Sequence, residues 1–157
     1  MNFLTEPKHQ ITPNSPMNAE ELQVAGEFVD ELMALGVLRE STEASGSPVD
    51  VVTNAPLFTV PKPGQPGQYR CIADMLKGGQ NESVGSDPVV LPRASHTVDE
   101  MYYGGFSAVY DFSKYFYNFP TRAEDRLYLG LIHPITEAML TYYGLPMGGG
   151  NSPSVAG

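Results

Sequence analysis

The sequence predicts an α+β fold, on three observations. A single amphipathic helix lies near the N-terminus, with Leu22, Ala25, Val29, Leu32 and Met33 on one face. Two later stretches, 57–73 and 127–143, switch to strand-like patterning around turn residues. Between them, Phe106, Ala108, Tyr110 and Phe112 alternate with Ser107, Val109 and Asp111, a half-buried strand with one acid at its exit.

The helix begins at Asn18, which with Glu21 three places on forms a capping box, and stops at Gly36. Glu20, Glu21 and Glu27 suit the helix dipole and the polar face without a functional reading. Residues 39–50, rich in Ser, Thr and Gly, read as a loop. Leu57–Val60 and Tyr69–Ala73 flank a Pro- and Gly-dense middle, a hairpin with Lys62 at its tip and Arg70 on its return strand. Pro63 and Pro66 have polyproline spacing, but their flanks are strand-like. Residues 75–92 read as irregular, and Asn81-Glu82-Ser83 as a chance match to a glycosylation acceptor. Thr97 with Glu100 opens a short helix that Gly104 and Gly105 end. After the Asp111 strand, Ser113 caps a short helix closed by Pro120. Leu127, Leu129 and Leu131 then alternate with Tyr128, Gly130 and Ile132 into a second hairpin that returns over 138–143. The chain ends in a glycine-rich run, where Asn151 or Ser152 can cap a helix begun by Pro153.

Composition narrows the function classes. The 157 residues, 41% of them apolar, suffice for one core. Cys71 is the only cysteine, which excludes a disulfide framework or a zinc knuckle within this sequence. His9, His96 and His133 show no ligand spacing and read as surface or capping residues. No secretory signal and no membrane-spanning apolar run is present, so an intracellular chain without a membrane partner is expected. The net charge of −9 opposes simple nucleic-acid binding. The charge is uneven, however: nine acids face two bases in residues 1–50, whereas nine face seven in residues 51–157. Local phosphate contacts therefore remain open to the later part.

Taken in order, the chain offers the helix ending in Gly36-Val37-Leu38-Arg39-Glu40-Ser41, the Lys/Arg hairpin, Leu91-Pro92-Arg93, a strand ending in Asp111, a hairpin, and Gly144-Leu145-Pro146-Met147-Gly148. That succession resembles reverse transcriptases, RNA-directed DNA polymerases of the retrotransposon and retroviral type, over residues 30–157. Its most specific pieces are Tyr110-Asp111-Phe112 with Phe116 five places beyond Asp111, and Leu145-Pro146-Met147-Gly148 followed by Asn151-Ser152-Pro153. Lys77-Gly78-Gly79-Gln80-Asn81 matches the family's Leu-Asn segment loosely. The resemblance implies fingers plus an incomplete palm of the right-hand polymerase fold, residues 18–157, after an irregular lead-in, residues 1–17.

By the same resemblance, Asp111 is the first metal-binding aspartate, with the Phe112 carbonyl beside it, and the metal is Mg²⁺ or Mn²⁺. Lys62 and Arg70 are the hairpin bases that close on an incoming triphosphate. Phe116 is the aromatic gate that excludes a ribose 2′-hydroxyl, and Met147 and Gly148 line the nucleotide pocket. The implied partners are an RNA or DNA template-primer, a deoxynucleoside triphosphate and the remaining palm and thumb of a longer polyprotein. The sequence departs from the family in having no Asp-Asp pair, so the family's Tyr-x-Asp-Asp hairpin is missing. The isolated chain is expected to be inactive, with apolar surface left open to self-association. Two other readings compete. One is a non-catalytic acidic interaction domain, which the helix over 18–35 supports. The other is a fragment of an RNA-dependent RNA polymerase, against which the bulky Phe116 counts.

Overall fold

A computed structural model describes residues 3–41, 50–85, 108 and 113–150. Helix α1 spans Ala19–Ala34, and its capping box is present at both ends of the exchange. The Glu21 N–H donates to Asn18 Oδ1 at 2.9 Å, and the Asn18 N–H donates to Glu21 Oε2 at 2.8 Å. The helix ends before Gly36, whose φ of +71° fits the left-handed stop expected of it. Its buried positions are Ala25, Gly26, Val29 and Leu32, with Leu22 and Met33 half-buried at the edges of the stripe.

Strands β2 (Leu57–Pro61) and β3 (Tyr69–Ala73) form the first expected hairpin, antiparallel, with Thr59 opposite Cys71 and Val60 opposite Arg70. Strands β4 (Gly130–Ile132) and β5 (Met139–Tyr142) form the second. One strand was not expected: β1 (Leu38–Glu40) falls where the composition reads as a loop. It exists because β5 is the middle strand of a sheet ordered β1-β5-β4, so a tripeptide with one buried leucine and two charged residues is drawn into pairing with an otherwise open edge.

Three further expectations are corrected. Residues 75–92 are not wholly irregular, because a single helical turn, α2, forms over Gln80–Ser83. Ser113 does not cap the next helix. That element is a 3₁₀ turn, η1 (Tyr115–Asn118), preceded by Lys114 in a left-handed conformation with no side-chain cap. The strand pattern beginning at Leu127 starts late, because a second 3₁₀ helix, η2, covers Ala123–Tyr128. The helix expected at 97–103, the strand bearing Asp111 and Phe112, and the segment 151–157 lie outside the described residues.

One apolar cluster joins these pieces. Val29 and Leu32 of α1, Leu38 of β1, Leu57 of β2, Leu129, Leu131 of β4, and Leu140 and Tyr142 of β5 pack together with almost no exposure. Buried His133 fixes the β4–β5 turn. Its Nδ1 accepts from the N–H groups of Ile135 and Thr136 at 3.1 and 3.2 Å, so Nε2 carries the proton toward Asp30 Oδ1, 3.2 Å away on α1. Residues 3–17 add no helix or strand of their own, yet they cross the body and hydrogen-bond to Ser83, Asn54, Leu57 and Ile132. Among the described residues, no helix is long and apolar enough to cross a membrane.

Candidate functional site

The hairpin tip is shaped by two successive turns, Gln65 N–H to Lys62 O and Gln68 N–H to Gln65 O. Gly64 and Gly67 supply the positive φ values, +71° and +76°, that such turns need. The Lys62 N–H closes the loop on Gln68 O at 2.8 Å. The tip is thus a hydrogen-bonded structure, not a proline-rich tail, and it holds Lys62 in register with the return strand.

Because facing residues of an antiparallel pair share a face, Leu57, Thr59, Cys71 and Ala73 point one way, and Phe58, Val60, Arg70 and Ile72 the other. The first face meets α1, as the hydrogen bond from Thr59 Oγ1 to Glu21 Oε1 at 3.0 Å shows. Among the described residues β3 has no strand partner besides β2, and along it a cleft of about 520 Å³ opens against the helix. Lys62, Tyr69, Arg70 and Cys71 of the hairpin and Val24, Glu27, Phe28 and Glu31 of α1 line it. Neither Lys62 nor Arg70 has a carboxylate within ion-pair distance among the described residues. The Lys62 ammonium donates to the neutral Gln68 Oε1 at 3.4 Å, so two cations without a carboxylate partner line the cleft, one a point charge and one a planar fork suited to paired oxygens. Glu27 is exposed on the polar face of the helix, as expected, and also lines the cleft, a placement that depends on how α1 meets the hairpin.

Cys71 is half-buried, and its removal from water pushes its thiol up to about 12. Burial also raises the Tyr117 hydroxyl to about 12, helped by Cys71 and Glu31 close by, so η1 sits against both β3 and α1. A thiol held neutral is a poor nucleophile. We expect Cys71 to resist a maleimide at pH 8 in the folded chain and to react fully in denaturant. Free thiol counted before and after unfolding checks this. The linkage has a definite sign: the folded values lie above the reference values of 9.0 and 10.0, so the contribution of these two groups to stability is level below pH 9 and falls as pH rises from there toward 12.

Phe116 is half-buried in η1, its ring 5.6 Å from that of Tyr115 at 68°. Met147 is about half exposed, at 52%. Gly148, with φ of +96°, runs past the end of β3, where an added Cβ would lie 3.7 Å from Ala73 O. Arg70 and Ala73 are three residues apart on that strand, roughly 10 Å. One strand thus carries the cleft at one end and the Met147–Gly148 turn at the other. The turn is held by a residue that sequence reading did not single out for a site. Asn81 of α2 donates from Nδ2 to Gly148 O at 3.0 Å and accepts the Gly150 N–H on Oδ1 at 2.7 Å. Its only signal is its place in the Lys77–Asn81 stretch. Asp111 and Phe112 lie outside the described residues, and among those described no group of three or more acidic, His or Cys side chains converges to hold a metal.

The fold is reverse-transcriptase-like, resembling part of solved foamy viral protease-reverse transcriptases. The structure of the foamy viral protease-reverse transcriptase dRH in complex with double-stranded DNA superposes with a TM-score of 0.72 at 20% identity. The match covers 98% of this chain and 24% of that one. The native protease-reverse transcriptase of prototype foamy virus gives 0.70 at 18% identity, over 96% of this chain and 18% of that one. A further DNA complex of the foamy viral enzyme gives 0.63 at 21%, over 98% and 27%. The chain therefore spans about a quarter or less of the proteins it matches, and at these identities the likeness is one of fold. No protein-family model matches the sequence. No curated protein matches it either.

Proposed function

We propose that this chain is the nucleotide-holding part of an RNA-directed DNA polymerase, the fingers and first part of the palm, which positions a deoxynucleoside triphosphate for transfer to a primer 3′-hydroxyl. The observation that carries the proposal is that Lys62 and Arg70 line one cleft, without ion-pair partners among the described residues, on a reverse-transcriptase-like fold. Fold alone does not assign an activity, so the weight rests on the charges and their placement.

In this reading, Arg70 takes two oxygens of the triphosphate in its planar fork and Lys62 adds a mobile charge at the hairpin tip. Phe116 restricts the sugar, and the Met147–Gly148 turn borders the base. Asp111, with the Phe112 carbonyl, would hold one Mg²⁺ or Mn²⁺, which stabilises the phosphate charge when bound. The sequence supplies no Asp-Asp pair to complete a two-metal site, so no chemical step is assigned to the chain itself. Template-primer and the rest of a longer polyprotein are the partners this reading requires, in keeping with the DNA bound to the foamy viral enzymes.

The test is titration of a deoxynucleoside triphosphate into the full chain with primer-template and Mg²⁺, by calorimetry. Arg70→Ala is expected to weaken binding at least about tenfold, as loss of a charge-assisted pair does, and Arg70→Lys to recover only part of it. Asp111→Asn is expected to remove the Mg²⁺ dependence. Equal binding, or equal lack of it, in the wild type and in these variants would defeat the proposal.

A further inference from the structure

We infer that Lys114 is a third phosphate-binding cation of the Lys62–Arg70 cleft, and that Glu31 holds it at rest as an internal substitute for phosphate. The inference rests on the triphosphate reading of that cleft and adds its regulation. Glu31 lies one helical turn beyond Glu27 on the same face of α1 and lines the cleft. Its carboxylate is ion-paired with the Lys114 ammonium. The carboxylate is 58% exposed and the ammonium side chain 30%, so the pair sits at the cleft margin and not in the core.

The backbone of Lys114 gives a second, independent observation. Its φ is +55°, and only one other described non-glycine residue, Glu137, has a positive value. An L-residue avoids this region unless its surroundings hold it there. Here the result is a lysine aimed at α1, at the start of the turn that carries Phe116. Lys62, Arg70, Glu27 and Glu31 line the cleft, Lys114 meets it through Glu31, and among the described residues only Lys114 of the three cations is ion-paired.

An arriving polyphosphate meets two available cations and one that is engaged. Lys114 passes from Glu31 to a phosphate oxygen, and the long, half-exposed Glu31 side chain turns to solvent. A single weak anion gains too little from the exchange to displace the carboxylate, whereas a triphosphate, already held by Lys62 and Arg70, does. Glu31 therefore sets a threshold that favours polyphosphates over monophosphates.

The alternative is that the pair merely pins η1 to α1, and the two make opposite predictions for Glu31. Affinity of the full chain for inorganic tripolyphosphate and for inorganic phosphate separates them. Glu31→Gln is expected to bind tripolyphosphate about fivefold more tightly and to discriminate less against phosphate, because one opposing charge is gone. Lys114→Asn, which tolerates the left-handed backbone, is expected to bind about fivefold more weakly and to cancel the gain in the double variant. Lys114→Arg should restore most of the loss. If Glu31→Gln leaves affinity unchanged or weakens it while Arg70→Ala still loses binding, the inference fails and the cleft reading stands. If the wild type binds tripolyphosphate no better than Arg70→Ala, both fail.

Discussion

Gly144→Ala is expected to destabilise the chain by about 1–3 kcal/mol, toward the upper end of what overpacking costs. The glycine is not needed for its backbone angles, since its φ is not among the positive values. It is needed for space: an added Cβ would lie 2.5 Å from Tyr117 O and 3.2 Å from the carbonyl carbon and Cα of the same residue. Both sides are backbone, and both are fastened. The N–H groups of Tyr143 and Gly144 donate to Val37 O, Leu145 N–H donates to Phe119 O at 2.7 Å, and Thr121 N–H donates to Tyr143 O at 2.9 Å. A methyl group must therefore push η1 away from the end of β5, and Phe116 with it. Urea unfolding against the wild type measures the loss. A Gly144→Ala chain as stable as the wild type would show that the close approach of η1 to residue 144 is wrong.

What the sequence revealed and what it concealed follow one physical line. Signals contained within a few residues were legible: the capping box of Asn18 and Glu21, the stop at Gly36, and the two hairpins whose apolar periodicity matches their buried faces. Elements created by a distant partner were not. Leu38–Glu40 is a strand because β5 has an edge to offer, and Ala123–Tyr128 curls into 3₁₀ turns although Leu127, Leu129 and Leu131 alternate. Leu129 and Leu131 are nevertheless fully buried, so the pattern identified the core correctly and misjudged only the backbone that delivers part of it.

The site divides in the same way. Lys62 and Arg70 could be paired from sequence because hairpin register fixes their separation, and the structure places them on one cleft. Glu27 and Glu31 could not be assigned to it, since an acid on the polar side of a helix looks the same whether it faces water or a neighbouring strand. Asn81 was hidden for a related reason. Its two hydrogen bonds reach residues 148 and 150, and nothing near it in sequence anticipates them.

Asn54→Ala is expected to cost about 2–5 kcal/mol, more than any other single polar truncation in the described structure, because it removes two partners from one backbone residue. The side chain is fully buried. Its Oδ1 accepts the Thr12 N–H at 2.7 Å and its Nδ2 donates to Thr12 O at 2.8 Å, so one amide replaces a strand partner for the N-terminal segment. Two residues on, Asn14 makes a similar bridge, donating to Ile132 O and accepting the Leu57 N–H, both at 2.9 Å. It is only half-buried, so water can replace part of what Asn14→Ala removes, and a loss of about 1–2 kcal/mol is expected there. The two residues hold one segment across both hairpins, so their effects should not add. Once Asn54→Ala has released residues 10–14, Asn14 has little left to hold, and the double variant should be scarcely less stable than Asn54→Ala alone. Urea unfolding of the four proteins gives the coupling, and amide exchange at Thr12 and Leu57 shows whether the segment has lifted. Full additivity, with the Thr12 amide still protected, would mean that residues 3–17 are held chiefly by contacts other than these two asparagines.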